Sequence, residues 1–403
     1  MKILFTDALP EAYIDVLRDR GDECVVAPEL GADDIPDAIE GVDVLVVRST
    51  KVTAEAIDRS DRLGLIVRSG AGTNTIDCQA AADAGIYVCN VPGTNSVAVA
   101  ELALGLLLAV DRNIDSASSD LKAGTWNKKA YSKADGLMGK TFGVIGVGEI
   151  GLAAAERARS FGMTVLAERK ADRRPDVEAR IRATGIRLVE DFDTLVAESD
   201  IVSIHVPGGA ATENLVDARF LDLMKPGAVL INTSRGEVVD EEALIAAMDD
   251  KGIRAGLDVF RNEPGSGTGE FVSALAAHPN VVGTHHIGAS TQQAQNATSA
   301  GTIDVIEAYR AGDPLNCVNV MRTRVGAATL TIRHFDRVGV LAAVLEVLRR
   351  ENINVQTMEN KVFQGSNAAM GIIDVAGEVT EDLTRELAAL DNVIQVQTTS
   401  RDQ

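Results

Sequence analysis

"TFGVIGVGEIGLAAAERARSFGMTVLAE" occupies residues 141–168, and the reading of this stretch decides the architecture around it. "FGVI" is an apolar run of strand length, and "LAAAERARSFG" reads as a helix. Between them Gly146, Gly148 and Gly151 fall in G-x-G-x-x-G spacing. A glycine triplet alone is weak evidence. A strand before it and a helix after it turn it into a dinucleotide-binding fingerprint. The glycines permit a tight turn and let backbone N–H groups approach a diphosphate, whose charge then meets the positive end of the helix dipole. Glu149 stands inside this turn and should weaken binding of an anion unless a nearby cation offsets it. About twenty residues on, such units place an acidic residue on the ribose hydroxyls. Glu168 ends the second strand at that place, but Arg169 and Lys170 follow it, and a basic residue there accommodates a 2′-phosphate. On this reading NAD is expected, with NADP left open.

The same grammar runs outward in both directions. "KILFTD", "CVVA", "DVLVVRS", "LGLIVRSGAG" and "GIYVCNVPG" alternate with helix-length segments over the first 90 residues; "DIVSIHV", "GAVLINTS", "RAGLDVF" and "VVGTHH" continue the second series. Short strands separated by helices make parallel sheets with crossover connections. A uniformly apolar helix from about Ser96 to Asp111 joins the two series, and a helix from about Gln292 to Ala311 leads back to the first. From about Ala327 the order becomes strand, helix, strand, strand, helix, strand. The expected fold is therefore α/β, with two doubly wound parallel-sheet, Rossmann-like domains and a C-terminal ferredoxin-like βαββαβ domain. The expected boundaries are 1–95 with 290–318, 96–289, and 326–403.

Composition narrows the function. The chain carries 59 acidic against 39 basic residues, a net charge of −20, and no stretch gathers the Lys and Arg that nucleic acid requires. The most apolar stretch, residues 97–110, carries Glu101 and is too short to span a bilayer, and the N-terminus lacks a signal-peptide run. Four cysteines without a CxxC or a regular framework suggest a reduced compartment, no disulfide and no zinc, so the cytoplasm is expected.

The remaining polar segments converge on strand ends. "NTSRGEVVD" presents Arg235, "GLDVFRNEP" presents Glu263, and "VVGTHHIGAST" presents His285 and His286. Open α/β sheets bind ligands at the carboxyl ends of their strands. A guanidinium fork there grips a carboxylate and polarises the adjacent carbonyl. An imidazole gives or takes the hydroxyl proton as hydride moves, and a carboxylate behind it fixes its tautomer and favours its protonated form. Arg, Glu and His together suit a hydroxy acid.

These segments, with "GVGEIG" and "VRSTKVTAEAID", resemble the D-isomer-specific 2-hydroxyacid dehydrogenases over nearly the whole chain. Within that family the likeness is to the branch that oxidises D-3-phosphoglycerate and carries a C-terminal ACT domain. The resemblance implies that Arg235, Glu263 and His286 are catalytic and that His285, where the pattern usually has Pro, is incidental. It implies a cofactor site of Gly146, Gly148, Glu149, Ile150, Gly151, Glu168, Arg169, Val206, Pro207, Thr233, Ser234, Asp258 and Gly288, with Asp258 on the nicotinamide amide. It further implies that the backbone of Ser69, Gly70, Ala71 and Gly72 cradles the substrate carboxylate and that Arg48 takes the phosphate, although "RSTKVT" is one residue shorter than the usual loop. "GTWNKKAYS" (124–132) would lie near a partner subunit, in a homodimer or homotetramer.

"RHFDRVGVLAAVL" is similar to the ACT signature, with Val338 in place of the usual Pro. On that resemblance His334, Asp336 and Asn354 would line an L-serine effector site at a dimer interface. The expected activity is oxidation of D-3-phosphoglycerate to 3-phosphohydroxypyruvate, the first step of serine synthesis, regulated by an amino acid. The alternatives are a glyoxylate, hydroxypyruvate or other 2-oxoacid reductase and, from another class, a non-catalytic dinucleotide-sensing regulator.

Overall fold

The computed structural model describes residues 1–171, 173–264, 268–321, 326–365 and 367–400. Residues 401–403 and Ser366, within the expected third domain, lie outside the described residues. The chain forms two compact units, Met1–Val318 and Asn319–Gln403.

The first unit holds two parallel sheets. In the first, β1 (Lys2–Phe5), β2 (Glu23–Val26), β3 (Val44–Val47), β4 (Leu65–Arg68) and β5 (Tyr87–Asn90) lie in the order β2-β1-β3-β4-β5. In the second, β6 (Thr141–Ile145), β7 (Thr164–Glu168), β8 (Arg187–Val189), β9 (Ile201–Ile204), β10 (Val229–Asn232), β11 (Arg254–Leu257) and β12 (Val281–Gly283) lie in the order β12-β11-β10-β9-β6-β7-β8. The interior strands VLVV, IVSI and VLIN are buried throughout, as expected of sheets covered by helices on both faces. Each sheet reverses its winding once, between β1 and β3 in the first and between β6 and β9 in the second. Chain crossing to opposite faces at such a point opens a crevice beyond the strand ends.

Two long helices tie the sheets to one another. Ser96–Arg112 packs on the helix Glu149–Ser160 and on β10, β11 and β12. Its Leu104, Leu106 and Leu107 are buried, each contributing about 1.5–3 kcal/mol. Its close approach depends on Gly256 in β11, where an added Cβ would lie 2.9 Å from Leu106 Cβ. The helix Gln292–Arg310 returns to β4 and β5 of the first sheet, with Ile303, Val305 and Ile306 buried. Beyond it Cys317 forms an isolated antiparallel bridge with Cys89 of β5; both side chains are buried with their sulfurs 2.9 Å apart, and burial pushes the Cys89 thiol up.

In the second unit, β13 (Ala328–Phe335), β14 (Asn354–Val362), β15 (Ala368–Ala376) and β16 (Val393–Ser400) form an antiparallel sheet ordered β14-β15-β13-β16. Helices Val340–Arg350 and Glu381–Ala388 complete the βαββαβ order, a ferredoxin-like arrangement. Alternation along β13 sends Leu330 and Ile332 into a core with Val344, Leu348, Ile373 and Leu383.

Candidate active site

Three strand exits of the second sheet carry the polar residues singled out in the sequence. At the end of β10, Asn232 is fully buried; its Oδ1 accepts from Ser234 N and Oγ at 3.0 and 2.7 Å, and its Nδ2 donates to Arg235 O at 2.9 Å. This side chain folds the exit turn and so projects Arg235, whose Nη1 donates to Ser234 O. After β11, Glu263 turns back so that its Oε1 accepts from Phe260 N at 2.8 Å. After β12, the chain enters a turn in which His286 adopts a left-handed conformation with φ 54°. That conformation is uncommon outside glycine and costs on the order of 1–3 kcal/mol, so surrounding contacts must hold it.

Asp258 supplies those contacts. Buried at the end of β11, it accepts from Thr284 Oγ1 at 2.6 Å, Ile287 N at 2.9 Å and Gly288 N at 2.8 Å, while its carbonyl accepts from His286 N at 2.8 Å. The residue expected to face the nicotinamide amide is therefore also the organiser of the histidine turn.

Arg235, Glu263 and His286 line one cleft. His286 Nδ1 donates to Glu263 Oε2 at 2.7 Å, which leaves Nε2 with the lone pair. This bond, against the opposing effect of burial, raises the His286 pKa above 6.5. Burial alone would raise the Glu263 carboxyl, but hydrogen bonds from His286 and from the Phe260 amide lower it. Glu263 thus remains an anion behind an imidazole poised to exchange a proton. His285 is exposed and outside this cleft.

The loop after β4 closes the other side. Gly72 lies so near Arg235 that an added Cβ would be 3.2 Å from Nη2. Ser69 is buried, and its Oγ accepts from Thr302 Oγ1, on the returning helix, at 3.0 Å. Arg48 leaves β3 at the winding reversal of the first sheet, beside Asp7. The Asp7 carboxylate accepts from the amides of Arg48, Ser49 and Thr50 and from both hydroxyls, at 2.6–3.3 Å. These bonds overcome the opposing effect of burial and lower its pKa.

Arg68, the last residue of β4, went unnoticed in the sequence. Its guanidinium fills the space over Gly70, where any side chain would overlap it, and its buried Nε has no partner among the described residues. Burial and the neighbouring Arg235 and Arg48 pull its pKa down, with Asp7 opposing. Arg68 thus feels two like charges, from Arg235 and Arg48, against the one carboxylate of Asp7, which is already saturated with donors, while Glu263 faces Arg235. A like-charge cluster of this kind favours a bound anion. The only sequence signal was the "R" closing "LIVR".

The glycine turn fits a dinucleotide on structural grounds. Gly146 has φ 96°, and a Cβ on it would overlap His205 O; a Cβ on Gly151 would overlap Gly146 O; Gly148 faces open space. The helix beginning at Glu149 has no side-chain cap, so its first amides are available to a ligand. Glu168 ends β7, with Lys170 Nζ 4.0 Å from its Oε2, while Arg169 turns to Glu190 at 3.4 Å. Thr233 Oγ1, directly after β10, is buried without a partner among the described residues.

The sequence profile of "D-isomer specific 2-hydroxyacid dehydrogenase, NAD binding domain" matches residues 104–288. A hydroxypyruvate reductase of Thermotoga maritima is 40% identical over 307 residues, covering 76% of this chain and 97% of that protein. The chain belongs to the D-isomer specific 2-hydroxyacid dehydrogenase family. The D-3-phosphoglycerate dehydrogenase of Escherichia coli K12 is 32% identical over 394 residues, 96% of this chain and 93% of that one. The D-3-phosphoglycerate dehydrogenase of Methanocaldococcus jannaschii is 39% identical over 335 residues, which are 81% of this chain but only 61% of its own length. In this family member, therefore, the glycine turn belongs to an NAD-binding domain. No helix among the described residues is long and apolar enough to cross a membrane.

The expected effector residues do not meet within one chain. His334 pairs with Ala369, which pairs with Val362, whereas Asn354 pairs with Ala376 at the other end of the sheet. Asp336 follows β13 and stays near His334, its amide bonded to Asn367 O. His334 is itself buried, its ring bonded to Phe335 O at 2.8 Å and Asn360 Oδ1 at 3.2 Å. A site built from all three residues requires a second copy of the chain.

Proposed function

We propose that the chain oxidises D-3-phosphoglycerate to 3-phosphohydroxypyruvate. The observation that carries this reading is the cleft shared by Arg235, Glu263 and His286, with Arg68 near enough to Arg235 and Arg48 for their charges to act on it. Arg235 and the backbone of Ser69, Gly70, Ala71 and Gly72 hold the carboxylate, and Arg48 with Arg68 holds the phosphate. His286 Nε2 takes the C2 hydroxyl proton, and Glu263 stabilises the imidazolium that results. When bound, NAD supplies the hydride acceptor. NAD is favoured over NADP because Glu168 keeps a carboxylate at the end of β7 while Arg169 is engaged with Glu190.

Residues 1–95 with 290–318 form the substrate domain in this reading and 96–289 the dinucleotide domain, consistent with the helices Ser96–Arg112 and Gln292–Arg310 packing on different sheets. Residues 326–403 act as an ACT regulatory domain, and an amino acid, L-serine first, binds where two copies pair. Homo-oligomerisation is supported by the exposure of Trp126 and Met138, 81% and 86% in the isolated chain. The identity shared with a hydroxypyruvate reductase favours one second reading, a 2-oxoacid reductase.

An absorbance assay of D-3-phosphoglycerate, hydroxypyruvate and glyoxylate with both cofactors, with and without L-serine, tests these assignments. Turnover of D-3-phosphoglycerate with NAD is expected. Efficient turnover of glyoxylate or hydroxypyruvate alone moves the chain to the reductase reading, and no absorbance change with any substrate removes both.

A further inference from the structure

The glycine turn carries a charge of the wrong sign for its ligand. Glu149 is the first residue of the helix that receives the diphosphate, and an anion at that position stabilises the helix dipole while repelling a second anion. Its Cγ lies 3.6 Å from where a Cβ on Gly93 would sit, so it faces the segment between β5 and the helix Ser96–Arg112. Arg180, from the separate helix Pro175–Ala183, reaches over the turn and grips it. Nη1 donates to Oε1 at 2.6 Å and Nη2 to Oε2 at 2.8 Å, a bidentate pair. Both side chains remain about half exposed, at 51% and 53%, so the pair is accessible to an incoming ligand. The charges facing Arg180 are Glu149 first, then Asp176 and Glu156 at longer range.

We propose that Arg180 is the counter-ion of the dinucleotide diphosphate, held in place by Glu149 until the ligand arrives. A guanidinium has five donors, and its fork matches a phosphate as well as a carboxylate. Arg180 therefore transfers one or both of its hydrogen bonds to the diphosphate, and Glu149 sets how readily it does so. The pair makes cofactor affinity adjustable: Glu149 subtracts from it and Arg180 adds to it. The inference rests on dinucleotide binding at the glycine turn and is independent of which hydroxy acid is oxidised.

The test is direct binding of NADH, followed by its fluorescence and by calorimetry with ADP-ribose, to the full chain and to Arg180→Gln, Glu149→Gln and the double variant. Measurements are made at roughly 50 and 300 mM salt. Arg180→Gln is expected to weaken NADH binding on the order of tenfold and to flatten its salt dependence, since a charged hydrogen-bond partner is lost. Glu149→Gln is expected to bind at least as tightly as the native chain, and the double variant to fall between the two single ones. Native affinity in Arg180→Gln overturns the proposal. So does a loss in Glu149→Gln equal to that in Arg180→Gln, because a purely structural pair weakens binding equally whichever partner is removed.

Discussion

The two winding reversals make opposite kinds of binding crevice from the same topology. Beyond β6 and β9 the second sheet offers backbone: three glycines, an uncapped helix and open space over Gly148. Beyond β1 and β3 the first sheet offers side-chain charge: Arg48 on a loop clamped by Asp7, with Arg68 from the next strand and Arg235 from across the cleft. A backbone cradle binds by shape and fails when a Cβ intrudes. A guanidinium cluster binds by charge and fails when a cation is neutralised. In the proposed reaction catalysis falls between them, since the His286 turn belongs to the second sheet while Gly72 lies against Arg235 from the first.

This contrast is broken most severely at the chemistry itself. His286→Ala removes the proposed base, which neither crevice supplies, and kcat/KM is expected to fall by about 10²–10⁴ in steady-state assays, with NADH affinity retained. Undiminished turnover would sink the assignment.

Next in size is the backbone cradle. Gly151→Ala places a methyl against Gly146 O, and overpacking of about 1–3 kcal/mol should weaken NADH binding roughly tenfold to a hundredfold without altering discrimination among hydroxy acids. Fluorescence titration together with a substrate panel checks both halves.

The charge crevice should show the reverse. Arg68→Gln is expected to raise KM for D-3-phosphoglycerate by about tenfold and to leave KM for hydroxypyruvate, which lacks the phosphate, within about twofold. An equal rise for both substrates would mean that Arg68 only shapes the loop over Gly70.

The smallest effect is on the pH profile. The His286 pKa is raised above 6.5, chiefly by its bond to Glu263. In the proposed mechanism oxidation needs the neutral ring, so kcat/KM in that direction should climb with pH through an inflection above 6.5; reduction needs the imidazolium and should decline through the same region. Glu263→Gln removes the raising interaction and should move the inflection to lower pH, by an amount read from the two profiles.

Much of this was legible along the chain because the determinants are local. The glycine spacing, the strand before it and the helix after it lie within one short segment, and Arg235, Glu263 and His286 each follow an apolar strand closely. The long helices Ser96–Arg112 and Gln292–Arg310 fell within a residue of the ends read from their patterns. What escaped was pairing at a distance. Glu149 meets Arg180 across 31 positions, Asp7 meets Arg48 across 41, and Ser69 meets Thr302 across 233. Cys89 and Cys317 likewise looked scattered and are neighbours. His286 read as a polar strand end and is a left-handed turn residue, a conformation imposed by Asp258 and by no feature of its own.

The amino-acid sequence by itself determined the α/β plan, the glycine turn and the identities of the three polar residues at the strand ends. These depend on periodicity and on residues adjacent in the chain. Only the tertiary structure decided that Arg68 joins the cation cluster, that Glu149 is neutralised by Arg180, and that Asp258 holds the histidine turn. Those outcomes follow from burial and from the distance between charges in space, which strand order and helix packing set.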